Sequence, residues 1–431
     1  MRIFKIGTIL LLAVAFTASC QRDRIIPKDA SPEVHTSALI PSGLDELPVV
    51  ILATPEQAPI DSKLDWVTNS TIKITVKKDG KESTVYQADG LKIKGRGNST
   101  WEGGKTSYPK KPYTLKLKEK ADFLGTGKTS RWVLLAGWMD RTLLRNDVAF
   151  EMARRTSMEW APSGTFVTLY LNDQYLGIYW LGEKIHVEGS HFNADYLLSF
   201  DFSDSNEVDF VSSKGYSASK NQVGGIPVEV KYPDRDAFTA VEFSQVVDAA
   251  QEALYDIEYA MYHAQTALDR IDMDSFCDYY LLYEICGNVE PRHPKSSFFY
   301  IRNGRMYAGP VWDFDWGTFV PNRHNLMIQN AVYYHQLMPQ PDFKEHLKNR
   351  WAVLKPQFES IGDYIDARAN LIRKEEPLNH AKWPCYPNDL AESDTKMVNG
   401  DEQMSFDGAV ERMKEAIQQR ISDLDPQIRG L

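Results

Sequence analysis

The sequence predicts an α+β protein, with a β-rich first half and a largely helical second half. Three observations predict it. Short apolar or alternating runs, separated by turns of Gly, Asn and Asp, dominate up to about residue 185. Apolar residues at helical spacing dominate from about residue 240 onward. The two kinds of pattern follow one another and do not alternate, which excludes a doubly wound sheet.

Residues 47–53 form an apolar run that reads as a buried strand, and residues 71–76 alternate as a half-buried strand does. Asp79-Gly80 is a hairpin turn signal. Residues 90–99 run as a strand into the Gly-rich turn Gly95-Arg96-Gly97-Asn98, and residues 110–117 return. Asp140 is the expected N-cap of a helix carrying Leu144, Val148 and Met152, with Arg141 and Arg145 on one face. A second hairpin has strands at 165–171 and 175–181, a turn at Asn172-Asp173, and Gly182-Glu183-Lys184 at its end. Residues 191–235 are polar and rich in Gly and Ser, and read as a flexible insertion with short strands such as 228–231. Helices are predicted at 244–267, 273–286, 343–354, 361–372 and 408–424. A loop at 287–295 and a hairpin turning at Asn303-Gly304 separate the second helix from the third.

The chain has 431 residues, with 49 Lys and Arg against 59 Asp and Glu, and a net charge of -10. That balance argues against a nucleic-acid partner. Its start reads as an export signal: Arg2 and Lys5, an apolar run at 6–16 too short to span a bilayer, then Thr17-Ala18-Ser19-Cys20. Small residues before a Cys resemble a bacterial lipobox, which puts cleavage before Cys20 and lipid on its sulfur. An ordinary secretory signal cleaved nearby is the competing reading. The expected location is the cell envelope, lipid-anchored at the outer membrane and facing the periplasm or the surface. Residues 21–45, with Pro27, Pro32 and Pro41, read as a flexible linker, and residues 46–431 as one domain. Cys277, Cys286 and Cys385 remain. The first two, nine apart in one helix, lie roughly 13 Å from each other and do not bridge. No Cys/His spacing suits zinc, and no P-loop or G-x-S-x-G occurs. Ten Trp and 21 Tyr leave sugar stacking open, with Trp101, Trp138, Trp160 and Trp180 as candidates.

Val311-Trp312-Asp313-Phe314-Asp315-Trp316 is the sharpest chemical signal. Read as extended, it puts Asp313 and Asp315 on one face and the three aromatics on the other. Two acids on one face repel unless a cation lies between them, and a hard divalent cation carrying a phosphate suits such a pair. A solvated strand face is the plainer alternative. The Asn303-Gly304 turn pairs Arg302 with Arg305 and Tyr300 with Tyr307. Continued outward, it brings Lys295 opposite Trp312 and Pro294 opposite Asp313. The loop carrying Glu290, Arg292, His293 and Lys295 is therefore expected beside the acid pair. Carboxylates for a metal, one to accept a proton and cations for phosphate are what phosphoryl transfer needs. A surface salt-bridge cluster is the alternative. The Gly-rich turn suits phosphate binding by backbone N–H groups, with Arg96 as a clamp, or it only turns the chain. Lys110 or Lys111 would approach the same phosphates from the returning strand.

Several blocks occur in a telling order. They are Lys94-Gly95-Arg96-Gly97-Asn98-Ser99-Thr100-Trp101, Lys110-Lys111-Pro112-Tyr113-Thr114-Leu115, Trp132-Val133-Leu134-Leu135 with residues 140–146, Tyr175-Leu176-Gly177-Ile178-Tyr179, residues 288–295, and Pro310 to Asp315. Together, over roughly residues 46–375, they resemble the spore-coat CotH kinase family in the form carried by Bacteroidetes-type lipoproteins. The resemblance implies an atypical, secreted, two-lobed protein-kinase-like core that binds ATP with Mg2+ or Mn2+ and phosphorylates Ser on proteins. It implies Asp313 as the metal-binding Asp with Asp315 beside it, Lys111 on the phosphates, and Glu183 near the nucleotide. Arg96 and Asn98 fall in its Gly-rich block. The catalytic loop departs from the family pattern, an Asp followed several residues later by Asn: here stand Glu290 and Ser296. The extra methylene sets the Glu290 carboxylate about 1.5 Å further out, and a displacement of that order can cost roughly a hundredfold in rate.

Three functions are carried forward. The first is an ATP- and metal-dependent phosphotransferase acting on a protein Ser or a glycan hydroxyl. Glu290 and Asp313 would be catalytic, Asp313 and Asp315 would hold metal, and Arg96, Asn98, Lys111, Glu183 and Lys295 would bind nucleotide. The second is a catalytically degenerate kinase fold serving as an envelope lipoprotein that binds a glycan or a protein. The third is a metal-dependent phosphoester hydrolase using the same acids.

Overall fold

The computed structural model describes residues 43–97, 99–102, 108–125, 128–187, 192–202, 208–263, 266–385 and 399–431. The export signal, Cys20 and most of the linker lie outside the described residues, as does Asn98.

Seven strands close a barrel in the order β1-β2-β3-β4-β5-β7-β6. They are β1 (Val49–Ala53), β2 (Val67–Lys78), β3 (Lys81–Gly95), β4 (Tyr113–Ala121), β5 (Thr129–Leu135), β6 (Gly164–Leu171) and β7 (Gln174–Glu183). Alternate side chains fill the inside: Val50 and Leu52, Ile72 and Ile74, Leu91 and Ile93, Trp132 and Leu134, Val167 and Leu169, Tyr179 and Leu181. β1 closes the barrel by running parallel to β6, with Val50 beside Leu169. Both expected tight turns form: Asp79 and Gly80, like Asn172 and Asp173, adopt positive φ. β4 starts three residues later than the sequence suggests, because Pro112 has no N–H to donate to a ladder. β5 was not expected as a strand.

The second sheet has five strands in the order β14-β13-β8-β12-β9. It comprises β8 (Tyr196–Phe200), β9 (Phe210–Val211), β12 (Pro227–Tyr232), β13 (Ser297–Arg302) and β14 (Arg305–Ala308). A two-stranded ribbon, β10 (Tyr216–Ser217) with β11 (Gln222–Val223), stands apart. The region expected to be a flexible insertion is therefore corrected. It supplies two inner strands, with Leu198, Phe200, Val228 and Val230 buried. β8 also pairs with β13, about 100 residues further on, a partner that no local pattern reveals. The Asn303-Gly304 hairpin forms as expected, pairing Arg302 with Arg305 and Tyr300 with Tyr307.

The helices are α1 (Ser99–Glu102), α2 (Arg145–Arg154), α3 (Ala240–Met261), α4 (Met273–Cys286), α5 (Tyr334–Leu337), α6 (Pro341–Glu359), α7 (Ile361–Ile372), α8 (Glu376–Lys382) and α9 (Phe406–Arg429). Helix α4 packs on β14 of the second sheet and α8 on β7 of the barrel. The architecture is α+β, with the barrel in the N-terminal part and most helices in the C-terminal part. α4 has the expected bounds. Asp272 caps it by accepting from the Ser275 N–H (2.9 Å), and Gly287 ends it in the left-handed region. Every residue from Ser275 to Cys286 is buried, which makes α4 the central helix. α3 starts earlier than expected, at a capping box between Thr239 and Glu242. Asp140 is not the cap of α2, which begins at Arg145. Its carboxylate instead accepts from the Thr142 N–H (2.9 Å) and the Arg145 N–H (2.8 Å), and pairs with the Arg145 guanidinium. Cys277, Cys286 and Cys385 are free thiols. No helix among the described residues is long and apolar enough to cross a membrane.

Candidate active site

The loop after α4 and the segment after β14 meet as the hairpin register suggests, but the geometry differs. The ladder ends at Phe299 and Ala308, followed by one bond from the Gly309 N–H to Phe298 O (2.9 Å). Residues 311–316 are not a strand, and Asp313 sits in the left-handed region (φ 69°). The expectation of an extended, two-faced segment is corrected. Trp312 and Phe314 are buried and Trp316 is 45% exposed. The kink at Asp313, not strand alternation, sets the two carboxylates.

Side chains from distant elements hold this kinked backbone. Asn146 on α2 accepts from the Phe314 N–H (2.7 Å). Asn399 accepts from the Gly317 N–H (2.9 Å) and donates to Asp315 O (3.0 Å). Asn288 donates to Asp313 O (3.2 Å) and to the Thr318 hydroxyl (3.2 Å). Arg145 donates to Thr318 O (2.9 Å), while Asp140 and Asp401 hold its guanidinium. Buried backbone donors need partners. Here Asn146 and Asn399 accept from two of them, while Asn288 and Arg145 donate to backbone carbonyls, so the loop is built in place. Phe314 is wedged between Tyr283 (5.1 Å) and Phe150 (6.2 Å), and Trp312 stacks on Phe150 (5.3 Å).

Around that loop the structure collects the acids. Ser296 donates from its hydroxyl to Asp313 Oδ2 (3.2 Å), and its N–H donates to Asp201 Oδ2 (3.0 Å). Asp201 follows β8 and is a fourth acid beside Glu290 and Asp313. It escapes sequence reading because its strand lies almost 90 residues before the loop. Burial raises the Asp313 carboxyl above its usual range, with Asp201 adding to the rise and Arg96, the Ser296 hydroxyl and Lys295 opposing it. Asp315 is pushed up to about 7 by burial and then by Asp313 and Asp140. Glu290 is raised well above its usual range by burial and then by Asp313, with Lys295 opposing. Among the described residues its Oε2 is buried with no hydrogen-bond partner, an atom left for a proton or a cation.

Arg96 comes from the end of β3. Its guanidinium lies over the Trp312 ring (4.9 Å), and Asp313 and Asp315 both act on its charge. Lys295 acts on both Glu290 and Asp313. The structure thus brings together Glu290, Asp313, Asp315, Arg96 and Lys295. Two further expected site residues have contacts elsewhere in the fold. The Lys111 ammonium donates to Thr100 O and lies over the Trp101 ring (5.1 Å), which ties it to the short α1. Glu183 is fully buried, cross-strand from Trp132. Lys110 is buried as well, donating to Ile178 O (2.5 Å) and Asn379 Oδ1 (3.0 Å). Among the four candidate sugar platforms, Trp138 and Trp180 are buried.

Among the described residues, no three His, Cys, Asp or Glu side chains gather closely enough to hold a metal ion by themselves. A pair of carboxylates is still a suitable donor set for a cation completed by phosphate oxygens and water. No curated protein matches the chain. A family model described as CotH kinase protein matches residues 93–424, from β3 to the last helix, and takes in every acid of the cluster. The chain therefore belongs to the CotH kinase family, a kinase-like family of phosphotransferases that implies use of a nucleotide.

Proposed function

We propose that this protein is a secreted, lipid-anchored kinase that transfers a phosphoryl group from ATP, with Mg2+ or Mn2+, to a Ser hydroxyl of a protein or to a glycan hydroxyl. The observation that carries the reading is the meeting of Glu290 and Lys295 from the loop after α4, Asp313 and Asp315 from the segment after β14, and Arg96 from the end of β3. The barrel and the helical part would correspond to the two lobes of an atypical kinase core, and the lipid on Cys20 would hold the chain at the envelope.

Asp313 and Asp315 are the residues that would hold the metal. Their buried, mutually repelling carboxylates favour a bound cation. When bound, that cation would neutralise charge on the transferred phosphoryl group. Arg96 and Lys295 supply positive charge on either side, and their attraction to phosphate is strengthened by burial. Glu290 is placed to take the proton of the acceptor hydroxyl. Burial and the Asp313 charge both raise its proton affinity, the direction a general base requires. Ser296 holds Asp313 in position through its hydroxyl.

A second reading, the degenerate scaffold, draws on the burial of Glu290 and on the bond that already occupies Ser296. Titration calorimetry of the full chain with ATP and Mg2+ or Mn2+ separates the two, with Asp313→Ala as control. Micromolar binding by the parent and none by Asp313→Ala is the expected result. Equal binding by both removes Asp313 from the site and the assignment with it. No binding by a folded parent leaves the scaffold reading.

A further inference from the structure

The β10–β11 ribbon is fixed at both ends. At its base the Tyr216 N–H donates to Val332 O (2.8 Å), and the Val332 N–H donates back to Tyr216 O (2.9 Å). At its turn the Ser219 N–H donates to Arg292 O (3.0 Å), and the Ser219 hydroxyl bonds His293 Nδ1 (2.7 Å). Arg292 and His293 follow Glu290 on the loop after α4. The Phe202 N–H donates to Pro294 O (2.9 Å) on the same loop. The Phe202 ring stacks on His293 (5.4 Å), and the Lys220 ammonium lies over that ring (3.5 Å). Phe202 follows Asp201, which accepts from the Ser296 N–H, and the Ser296 hydroxyl donates to Asp313. Direct contacts therefore join the turn of the ribbon to the acid cluster.

One edge of the ribbon is free. The Gly224 N–H donates to Gly215 O (2.8 Å), so the next pair, Tyr216 opposite Val223, is a non-hydrogen-bonded one. Main-chain groups of such a pair point out of the ribbon, in opposite directions. Those of Tyr216 are taken by Val332. Those of Val223 have no partner among the described residues, and Val223 is 50% exposed. An open strand edge of this kind takes an extended peptide, which brings its own row of amides; a sugar chain brings none.

The charge beside that edge is positive. Lys220 and Arg292 are exposed, and among the described residues neither is in an ion pair. Burial, then Lys295 and Lys220, hold the His293 imidazole below its ordinary range, a sign of the same field. In a chain of net charge -10 this is a local reversal of sign, suited to drawing in an anionic partner. Lys220 is three residues from Val223, about 10 Å along a strand, so one short peptide reaches both.

We propose that the β10–β11 ribbon is the acceptor-docking element of this protein: an extended acidic peptide pairs with the free edge at Val223 and sets its carboxylates against Lys220 and Arg292. The Ser hydroxyl of that peptide is then presented to Glu290. The proposal names the acceptor class for the phosphoryl-transfer reading above, and it rests on that reading for the fate of the Ser. Val223 supplies main-chain affinity that is indifferent to sequence, while Lys220 and Arg292 supply the preference for acidic flanks.

The test is fluorescence anisotropy on the full chain without nucleotide. The probes are three labelled peptides of equal length with a central Ser, flanked by Glu, by Ala or by Lys. The parent should bind the Glu-flanked peptide best, and rising salt should narrow the gap. An exposed ion pair is worth about 1.5- to 5-fold in affinity, so Lys220→Met with Arg292→Met should weaken that peptide by about 2- to 25-fold and leave the Ala-flanked one unchanged. Lys220→Glu with Arg292→Glu should turn the preference to the Lys-flanked peptide, an inversion that mere loosening of the loop does not produce. Lys374→Glu, on the turn between α7 and α8, controls for overall charge and should keep the parent's preference. N-methylation of the Glu-flanked peptide removes its edge-pairing N–H groups and should cost a further 2- to 10-fold or so.

Equal binding of all three peptides by the parent overturns the proposal, and so does a Lys374→Glu variant as impaired as the Lys220→Glu, Arg292→Glu pair. An N-methylated peptide that binds as well as the plain one overturns the edge pairing, and its displacement by polygalacturonate would make an anionic glycan the occupant. Transfer of labelled phosphate from ATP to the same peptides separates the two readings. Transfer at equal rates to all three keeps the kinase and overturns the docking element. A strong preference for the Glu-flanked peptide with no transfer keeps the docking element and removes the kinase.

Discussion

Asn146→Ala tests whether the acid loop is held in place by side chains outside it. Asn146 Oδ1 accepts from the buried Phe314 N–H at 2.7 Å, and Phe314 stands between the two acids. Removing the acceptor leaves a buried donor without a partner, at a cost of about 1–3 kcal/mol. A domain of this size unfolds with an entropy of roughly 0.8 kcal/mol/K, so the cost should lower Tm by about 1–4 °C. The effect on the site should be larger than the effect on the fold. Residues that orient metal ligands typically change metal affinity by about 10–100-fold when removed. Differential scanning fluorimetry reads the first quantity, and calorimetry with Mn2+ and ATP reads the second. A variant with parent-like Tm and parent-like affinity would show that the kink at Asp313 needs no support from α2, and the account of the loop would fail.

Three further outcomes are expected. Arg145→Met leaves Asp140 and Asp401 buried without their cation, and should cost about 3–5 kcal/mol in urea unfolding; a loss under about 1 kcal/mol contradicts the network. Lys110, pushed down to about 7 by burial, is largely neutral in the folded chain above that pH and protonated in the unfolded chain up to about 10.5. The unfolded state then binds the extra proton, so this group makes stability rise with pH between those values, by up to about 1.4 kcal/mol per unit. Lys110→Met should flatten that rise in denaturation at pH 7 and pH 9, and an unchanged slope refutes the assignment. Gly95→Ala puts a methyl group into the Trp101 indole, beside the backbone that leads to Arg96. It should cost about 1–3 kcal/mol and alter Trp fluorescence, and a silent substitution would mean that Trp101 does not rest on Gly95.

Turn chemistry and the bounds of α4 were the legible parts of the sequence, whereas the one cap read from it, Asp140, is not the cap of α2. Asn303-Gly304 set a hairpin whose register the structure reproduces, and Asp272 with Gly287 bounded α4 to the residue. The convergence of Glu290 and Lys295 on Asp313 followed from that register. The backbone of the acid loop did not. Its left-handed Asp313 depends on Asn146, Asn288 and Asn399, which come from three distant stretches and carry no local pattern. Strand β8 was obscured for a similar reason. It is short, lies among polar residues, and finds β13 only after α3 and α4 have been added. Asp201 became invisible with β8.

The closure of the barrel by β1 against β6 sets the size of the heritable unit. The family match begins at residue 93, inside β3. All of β1 and β2 and most of β3 precede it. A gene fragment cut at that border would encode four whole staves of a seven-stave vessel, with β6 missing its neighbour and Ile72 and Ile74 gone from the lining. Recombination that shuffled the matched stretch alone between relatives would pass on the acid loop but not the wall that carries it. A viable exchange has to carry the chain from before Val49 through α9.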